Sequence, residues 1–218
     1  MLFTRKERTS GQKRGSRSLI KAVNNSKRSH GFLAAAGVLW GSLLVVGFLF
    51  LAQEEFTPVE VSIPMTLFPP GSAVRLVSDK LTLVLFVHPH CPCTRASLYE
   101  LDGLLAETQN RVSATVVFTI PDGVSPGWEQ GDLWNSATNI PGLRVIRDQG
   151  GGEAHQFDVE GSGHVLLYAP SGKLLFSGGI TSSRGHEGDN VGRSAIVSFV
   201  LNGHARVSHT PVFGCSLL

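Results

Sequence analysis

Charge disappears from the chain over residues 31–52, which run from Gly31 to Ala52 without an acid or a base. As a helix this stretch covers ~33 Å at ~1.5 Å per residue, enough to cross a bilayer core of ~30 Å. It predicts a transmembrane helix. Further on, the apolar pattern changes period. Leu81–Val87 is an unbroken run rich in Leu and Val, of the length and composition of a strand buried on both faces, and Val112–Ile120 is a second. Between them Leu98, Leu101, Leu104 and Leu105 recur at helical spacing. Thr94 is the expected N-cap of that helix, and its end falls near Gln109-Asn110. Strand, helix and strand in this order predict two parallel neighbours.

The remaining pattern is shorter-ranged. Trp128–Ala137 reads as a short helix, Leu143–Ile146 as a short strand, and Asp148 as the cap of a helical stretch through Phe157. His164–Ala169 and Lys173–Gly178 flank Pro170-Ser171-Gly172, a hairpin turn, and Gly178-Gly179 ends the second strand. Asp189 or Asn190 is placed to cap a last helix to about Leu201. Residues 53–79 carry Pro58, Pro64, Pro69, Pro70 and Gly71, and read as a tether with one extended piece at Val59–Ile63 rather than as a core element. The expected division is a basic tail (1–30), a membrane helix (31–52), a linker (53–75), a folded α/β domain (76–205) and a C-terminal tail (206–218).

Charge settles which way such a chain faces. The 218 residues carry a formal +2, but residues 1–30 hold nine Lys or Arg against Glu7 alone, which makes that segment +8 and the remainder −6. Positive flanks stay cytoplasmic, so the N-terminus is expected inside and the rest outside, in the periplasmic or another extracytoplasmic space. A cleaved signal peptide has a shorter apolar core and a shorter basic region, which favours an uncleaved anchor in the inner membrane. The Arg- and Ser-rich, acid-poor start leaves a mitochondrial transit peptide as an alternative. Nucleic-acid binding by the tail is set aside, because a membrane-length apolar stretch follows it.

Chemistry concentrates where the first strand hands over to its helix. His88-Pro89-His90-Cys91-Pro92-Cys93 follows Val87, and a strand interior would not accept its prolines. A helix N-terminus carries unpaired N–H groups and partial positive charge, which favour thiolate over thiol, and Arg95, His88 and His90 add potential positive charge. The plain alternative is that the cysteines are small buried hydrophobes. Residues i and i+2 can reach disulfide distance when the chain is bent, and so tight a link is strained and easily reduced, the mark of an oxidant or isomerase. Which cysteine attacks is open. Cys215 is a third thiol, either incidental or brought back to resolve a mixed disulfide. Arg184 and His186, in the run Ser182–Asn190, are candidates to stabilise a thiolate or bind an anionic partner group. The expected partner is a thiol- or disulfide-bearing protein outside the cytoplasm. No cofactor is required, though Cys91, Cys93 and His90 form a soft donor set for copper, with His164 or His186 as further imidazoles from neighbouring loops.

The order of elements resembles the thioredoxin-like fold over about residues 76–203, with the cysteines at the junction that fold uses. Two departures stand out. The pair is Cys91-x-Cys93 rather than Cys-x-x-Cys, and the position of the family's cis-proline falls near Ser162-Gly163, where there is no proline. A nearer resemblance is to the membrane-anchored RedB-like group. It is carried by residues 88–97 around Cys91-Pro92-Cys93-Thr94-Arg95 with Glu100-Leu101, by Ser162-Gly163-His164, by Phe176–Thr181, by Ser183–Asn190 and by Val212-Phe213-Gly214-Cys215. It implies a tethered thioredoxin-like protein in thiol–disulfide exchange, with enzyme status open. Copper chaperones of the Sco type share the single span, paired cysteines and distant histidine, with wider cysteine spacing. Pro89–Thr94 also resembles peroxiredoxin-like Pro-x-x-Cys-Thr sites, which would imply peroxide reduction. A scaffold with a permanent disulfide staple completes the alternatives.

Overall fold

The computed structural model describes residues 12–59, 66–109 and 111–218, with the side chains of 12–30 left aside. The chain divides into two units, residues 1–53 and 54–218. A single helix, α1 (Gln12–Phe56), fills the described part of the first and runs on to Phe56. Its apolar portion, Gly31–Phe56, has 26 residues and is long and apolar enough to cross a membrane. That portion extends four residues past the expected end at Ala52, because Gln53, Glu54 and Glu55 are good helix formers.

The second unit is built on β1 (Leu81–Val87), α2 (Cys93–Glu107), β2 (Val112–Ile120), α3 (Asp132–Asn139), β3 (Arg144–Gln149), α4 (Gly152–Gln156), β4 (His164–Tyr168), β5 (Leu174–Gly179) and α5 (Val191–Asn202). The sheet order is β3-β2-β1-β4-β5. β1 runs parallel to β2, and β2 to β3, while β4 is antiparallel to both β1 and β5. This mixed sheet, covered by helices, is a thioredoxin-like fold.

Both faces of the sheet are buried, as the unbroken apolar runs predict. Leu83, Leu85 and Val87 of β1 point one way, into a core with Leu98, Leu101 and Leu104 of α2 and Ile196 of α5. Val84 and Phe86 point the other way, to Phe157, Val159, Leu166 and Tyr168. Each such side chain stabilises the fold by about 1.5–3 kcal/mol. Asn190 caps α5 with its side-chain oxygen on the Arg193 N–H, at 2.7 Å. The Asp148 carboxylate accepts from the N–H groups of Glu153 and Ala154 at the start of α4, although Gly151 holds the cap position.

Four expectations need correction. Thr94 is not the cap of α2: the helix begins two residues earlier, at Cys93, with Pro92 in the cap position at φ −58°, and the Thr94 hydroxyl donates to the His88 carbonyl instead. Proline suits that place, since its φ is pre-set and its missing N–H costs nothing there. The helix ends at Glu107, and Gln109 turns the chain at φ +50°. α3 starts at Asp132 rather than Trp128, after extended Gly131. β3 continues to Gln149, because its pairing with β2 runs on to Ile120.

The linker and the tail are also not free-standing. Val74 is buried and Phe68 packs edge-on against Phe157 and Tyr168. Val59 donates to the Val212 carbonyl at 2.8 Å, whereas the rest of the expected extended piece, 60–63, lies outside the described residues. The C-terminal segment lies along β5 and the loop before β4, where it buries Val212 and Leu217.

Glycines make that packing possible. A Cβ on Gly178 would stand 2.3 Å from Thr210 O, and one on Gly192 would stand 2.0 Å from the Gly179 carbonyl. Gly192→Ala therefore forces α5 away from β5. It is expected to cost about 2 kcal/mol, a fall of roughly 4–8 °C in melting temperature for a unit of this size. Circular dichroism melting of the full chain in detergent checks this, and an unchanged transition would show that the two backbones do not meet.

Candidate functional site

Strand β1 ends at Val87, and the next six residues turn sharply into α2. The backbone of this turn is committed to itself. Cys91 N–H donates to His88 O at 3.1 Å, Thr94 N–H to Cys91 O at 3.0 Å, and Arg95 N–H to Pro92 O at 3.3 Å. A serine from the loop before the neighbouring strand β4 completes it. The Ser162 hydroxyl accepts from His88 N–H at 3.0 Å and lies 3.1 Å from the Thr94 hydroxyl. The next residue, Gly163, donates to Phe86 O at 2.8 Å from a left-handed φ of +91°. A side chain there would meet Ser97 Oγ at 3.1 Å, so the position favours glycine on two counts.

The three cysteines come together on this turn. Cys91 is 1 % exposed and its Sγ lies 2.9 Å from Cys215 Sγ, while Cys93 and Cys215 are part-exposed. All three are free thiols. Cys91 is the shared member, in contact with Cys215 and hydrogen-bonded to the Cys93 thiol. The Cys93 thiol, then the Cys215 thiol, hold the Cys91 pKa down to about 4 against the opposing effect of burial. The partners shift the other way. Cys93 is pushed up by its bond to Cys91 and by burial, and Cys215 is pushed up to about 11 by burial and by the Cys91 thiol and charge. Ionisation of the cluster is thus favoured at Cys91, beside the positive end of α2.

Cys215 arrives on an extended segment fastened by main-chain bonds. Ser162 N–H donates to Cys215 O at 2.8 Å, Leu217 N–H to Glu160 O at 2.9 Å, and Gly161 bridges Ser216 in antiparallel fashion. Gly214 sits against the Ser162 carbonyl so closely that a Cβ would come within 1.8 Å of its oxygen. The Arg184 guanidinium donates to the Gly214 carbonyl and its charge favours thiolate on Cys93 and Cys215. Arg184 therefore belongs to the site, through the segment that carries Cys215.

Other candidates are placed differently. Arg95 is turned to Asp132 in an exposed ion pair, which lowers the Asp132 pKa and leaves the guanidinium engaged away from the sulfurs. His90 stacks on Trp128 with ring centroids 4.1 Å apart, and its Nε2 lies 3.0 Å from Trp128 O. His88 is half-buried and burial lowers its pKa; its Nδ1 accepts from His90 N–H, so the proton of the neutral ring is on Nε2. His186 stands exposed on the loop after β5. His164 is buried in β4 with Nε2 2.8 Å from Ser177 Oγ, and burial lowers its pKa to about 4. Among the described residues no group of three or more His, Cys, Asp or Glu is arranged to hold a metal ion. The residues that sequence reasoning missed are Ser162 and Trp128. The first stands beside Gly163 in the loop where the family keeps its cis-proline, which was the available signal. The second had none.

Comparison with known proteins supports the fold. No family model matches the chain, and no curated protein matches it. Among solved structures, an uncharacterized conserved protein from Geobacillus kaustophilus is similar, with a TM-score of 0.55 and 21 % identity over 74 % of this chain and 92 % of its own. A hypothetical protein from Sinorhizobium meliloti 1021 has a TM-score of 0.55 and 16 % identity over 74 % and 93 %. The exposed lipoprotein thioredoxin of Streptococcus pneumoniae strain TIGR4 is more distant, with a TM-score of 0.41 and 19 % identity over 63 % and 98 %. The class defined is a thioredoxin-like unit with three thiols gathered at the head of its first helix.

The thiol cluster makes stability depend on pH with a definite sign. Cys91 has a folded pKa far below its unfolded value of about 8.5, whereas Cys93 and Cys215 lie above theirs. Between about pH 4 and 8.5 the unfolded chain binds one more proton at these groups than the folded one, so their contribution to stability rises with pH. Above that, the folded chain keeps protons the unfolded one has lost, and the contribution falls. Urea unfolding from pH 5 to 10 should show a maximum near pH 8–9, and Cys91→Ser should flatten its acid limb. An acid limb unchanged in Cys91→Ser would remove the buried thiolate.

Proposed function

We propose that this protein is a membrane-anchored thiol–disulfide exchange protein of the RedB-like kind, with its folded unit outside the cytoplasm. The observation that carries the reading is the gathering of three free thiols at the head of α2, with Cys91 Sγ 2.9 Å from Cys215 Sγ. A thiolate is the attacking species in disulfide exchange, and it needs a second thiol to release the product. The Cys91 thiolate attacks one sulfur of a partner disulfide, forming a mixed disulfide and expelling the other partner sulfur as thiolate. A second thiol of this chain gives up its proton to solvent and attacks Cys91 Sγ, so the partner leaves fully reduced and this chain holds a disulfide. Two electrons pass to the partner, and the reverse sequence oxidises a partner dithiol. The basic tail and the apolar length of α1 support an N-terminus inside, with the thiols beyond the lipid.

Turnover of a small disulfide, with dithiothreitol as electron source, tests the chemistry. Cys91→Ser is expected to lower the rate by on the order of 10²-fold or more, since it removes the sulfur that lies before the first turn of α2 and touches the Cys215 thiol. Retained turnover in that variant would sink the proposal. Placement is tested by adding protease to the outer face of spheroplasts. Digestion of residues 54–218 is expected, and protection would reverse the topology.

A further inference from the structure

We infer that the resolving thiol is Cys215, and that residues 214–217 form an arm that lifts to admit the partner and returns to expel it. The inference rests on the exchange reading above and goes beyond it by assigning the second half of the reaction.

Three observations converge on Cys215. Cys91 Sγ is 2.9 Å from Cys215 Sγ, so a bond of about 2.05 Å needs an approach of less than about 1 Å. A Cys91–Cys93 bond, by contrast, must bend a turn whose backbone is already tied down by the Cys91, Thr94 and Arg95 N–H groups. Second, the Cys215 backbone is aligned by its own fastenings, the Ser162 and Leu217 main-chain bonds and the Arg184 contact to Gly214 O. Third, Cys91 is 1 % exposed with Cys215 against it, so a partner sulfur cannot line up on Cys91 while Cys215 stays in place. The segment that blocks the nucleophile carries the group that completes the reaction.

The steps balance. With the arm lifted, Cys91 S⁻ attacks the partner disulfide, forming the Cys91–partner bond and releasing one partner sulfur as thiolate. As the arm returns, Cys215 loses its proton to water, helped by the Arg184 charge. Its thiolate attacks Cys91 Sγ, the Cys91–Cys215 bond forms, and the second partner sulfur leaves. Cys93 remains a thiol throughout, donating to the Cys91 thiolate before it attacks. The oxidant is the partner disulfide itself.

Oxidised glutathione, added to the reduced full chain in detergent, serves as the partner disulfide, and mass spectrometry of quenched digests reads the sulfur linkages. Wild type and Cys93→Ser are expected to end with a Cys91–Cys215 bond. Cys215→Ser and Cys215→Ala should accumulate glutathione on Cys91, with a lifetime at least tenfold longer than in wild type. Gly214→Ala moves the arm without touching a sulfur, because its Cβ cannot fit against Ser162 O; it should take up glutathione on Cys91 severalfold faster and release it more slowly. A Cys91–Cys93 bond in wild type, or prompt release in the Cys215 variants, overturns the assignment and leaves the exchange reading standing. No glutathione on Cys91 in any variant overturns both.

Discussion

The contact of three sulfurs at the head of α2, which favours thiolate on one of them, is the interaction on which the rest of the site depends. A buried thiolate is costly unless its surroundings replace the water it gives up. Here two thiols supply the hydrogen bonds and the head of α2 supplies the field. Removing either donor would leave an anion in a site that is 1 % exposed. The three positions are therefore coupled, and the protonation of Cys93 and Cys215 follows from the ionisation of Cys91.

Bringing the third sulfur there is a problem of backbone approach. Cys215 is 122 residues beyond Cys93 in the chain, and its segment must cross β5 and the loop before β4. Two backbones can come that close only where side chains are absent. Gly178 and Gly179 make room for Thr210-Pro211, Gly192 for the Gly179 carbonyl, and Gly214 for Ser162. Overlaps near 2 Å with backbone atoms cannot be relieved by a rotamer change. These glycines set the path of the tail as firmly as Val212 and Leu217 anchor it in apolar contact.

That division explains how much could be read from the sequence. β1, β2, the hairpin and the Asn190-capped helix were legible because each is a local pattern with a long enough period to count. The cysteine turn was legible because prolines and histidines interrupt a buried run. Cys215 was legible as a third thiol that could be brought back, but the path of the tail was not, since Thr210–Leu217 has no period and its partners lie in distant loops. Gly178-Gly179 was read as a strand ending, and nothing local distinguishes a glycine that ends a strand from one that admits a passing chain. Thr94 was misread for a related reason. It has the chemistry of a cap, but Pro92 holds that position and the hydroxyl is drawn to His88 O and Ser162. Arg95 shows the limit for charge: sequence puts it beside the thiols, and Asp132 from another helix takes it away.

The one-residue spacing of Cys91 and Cys93 makes the third sulfur more than an addition. In the turn between β1 and α2, Cys91 lies before the helix and Cys93 is its first residue, so both are fixed by the same short run of backbone bonds. A pair so constrained can share a proton, which needs only contact, far more easily than it can close a covalent bond, which needs a specific dihedral geometry as well. Cys93 is thus suited to stabilising the Cys91 charge. A group that must both approach and withdraw has to come from a part of the chain with independent fastenings. Residues 214–217 meet that condition, being held by two main-chain bonds, one guanidinium and the buried Leu217 side chain rather than by helix or sheet. The division of labour between a fixed donor and a detachable one follows from how each cysteine is attached.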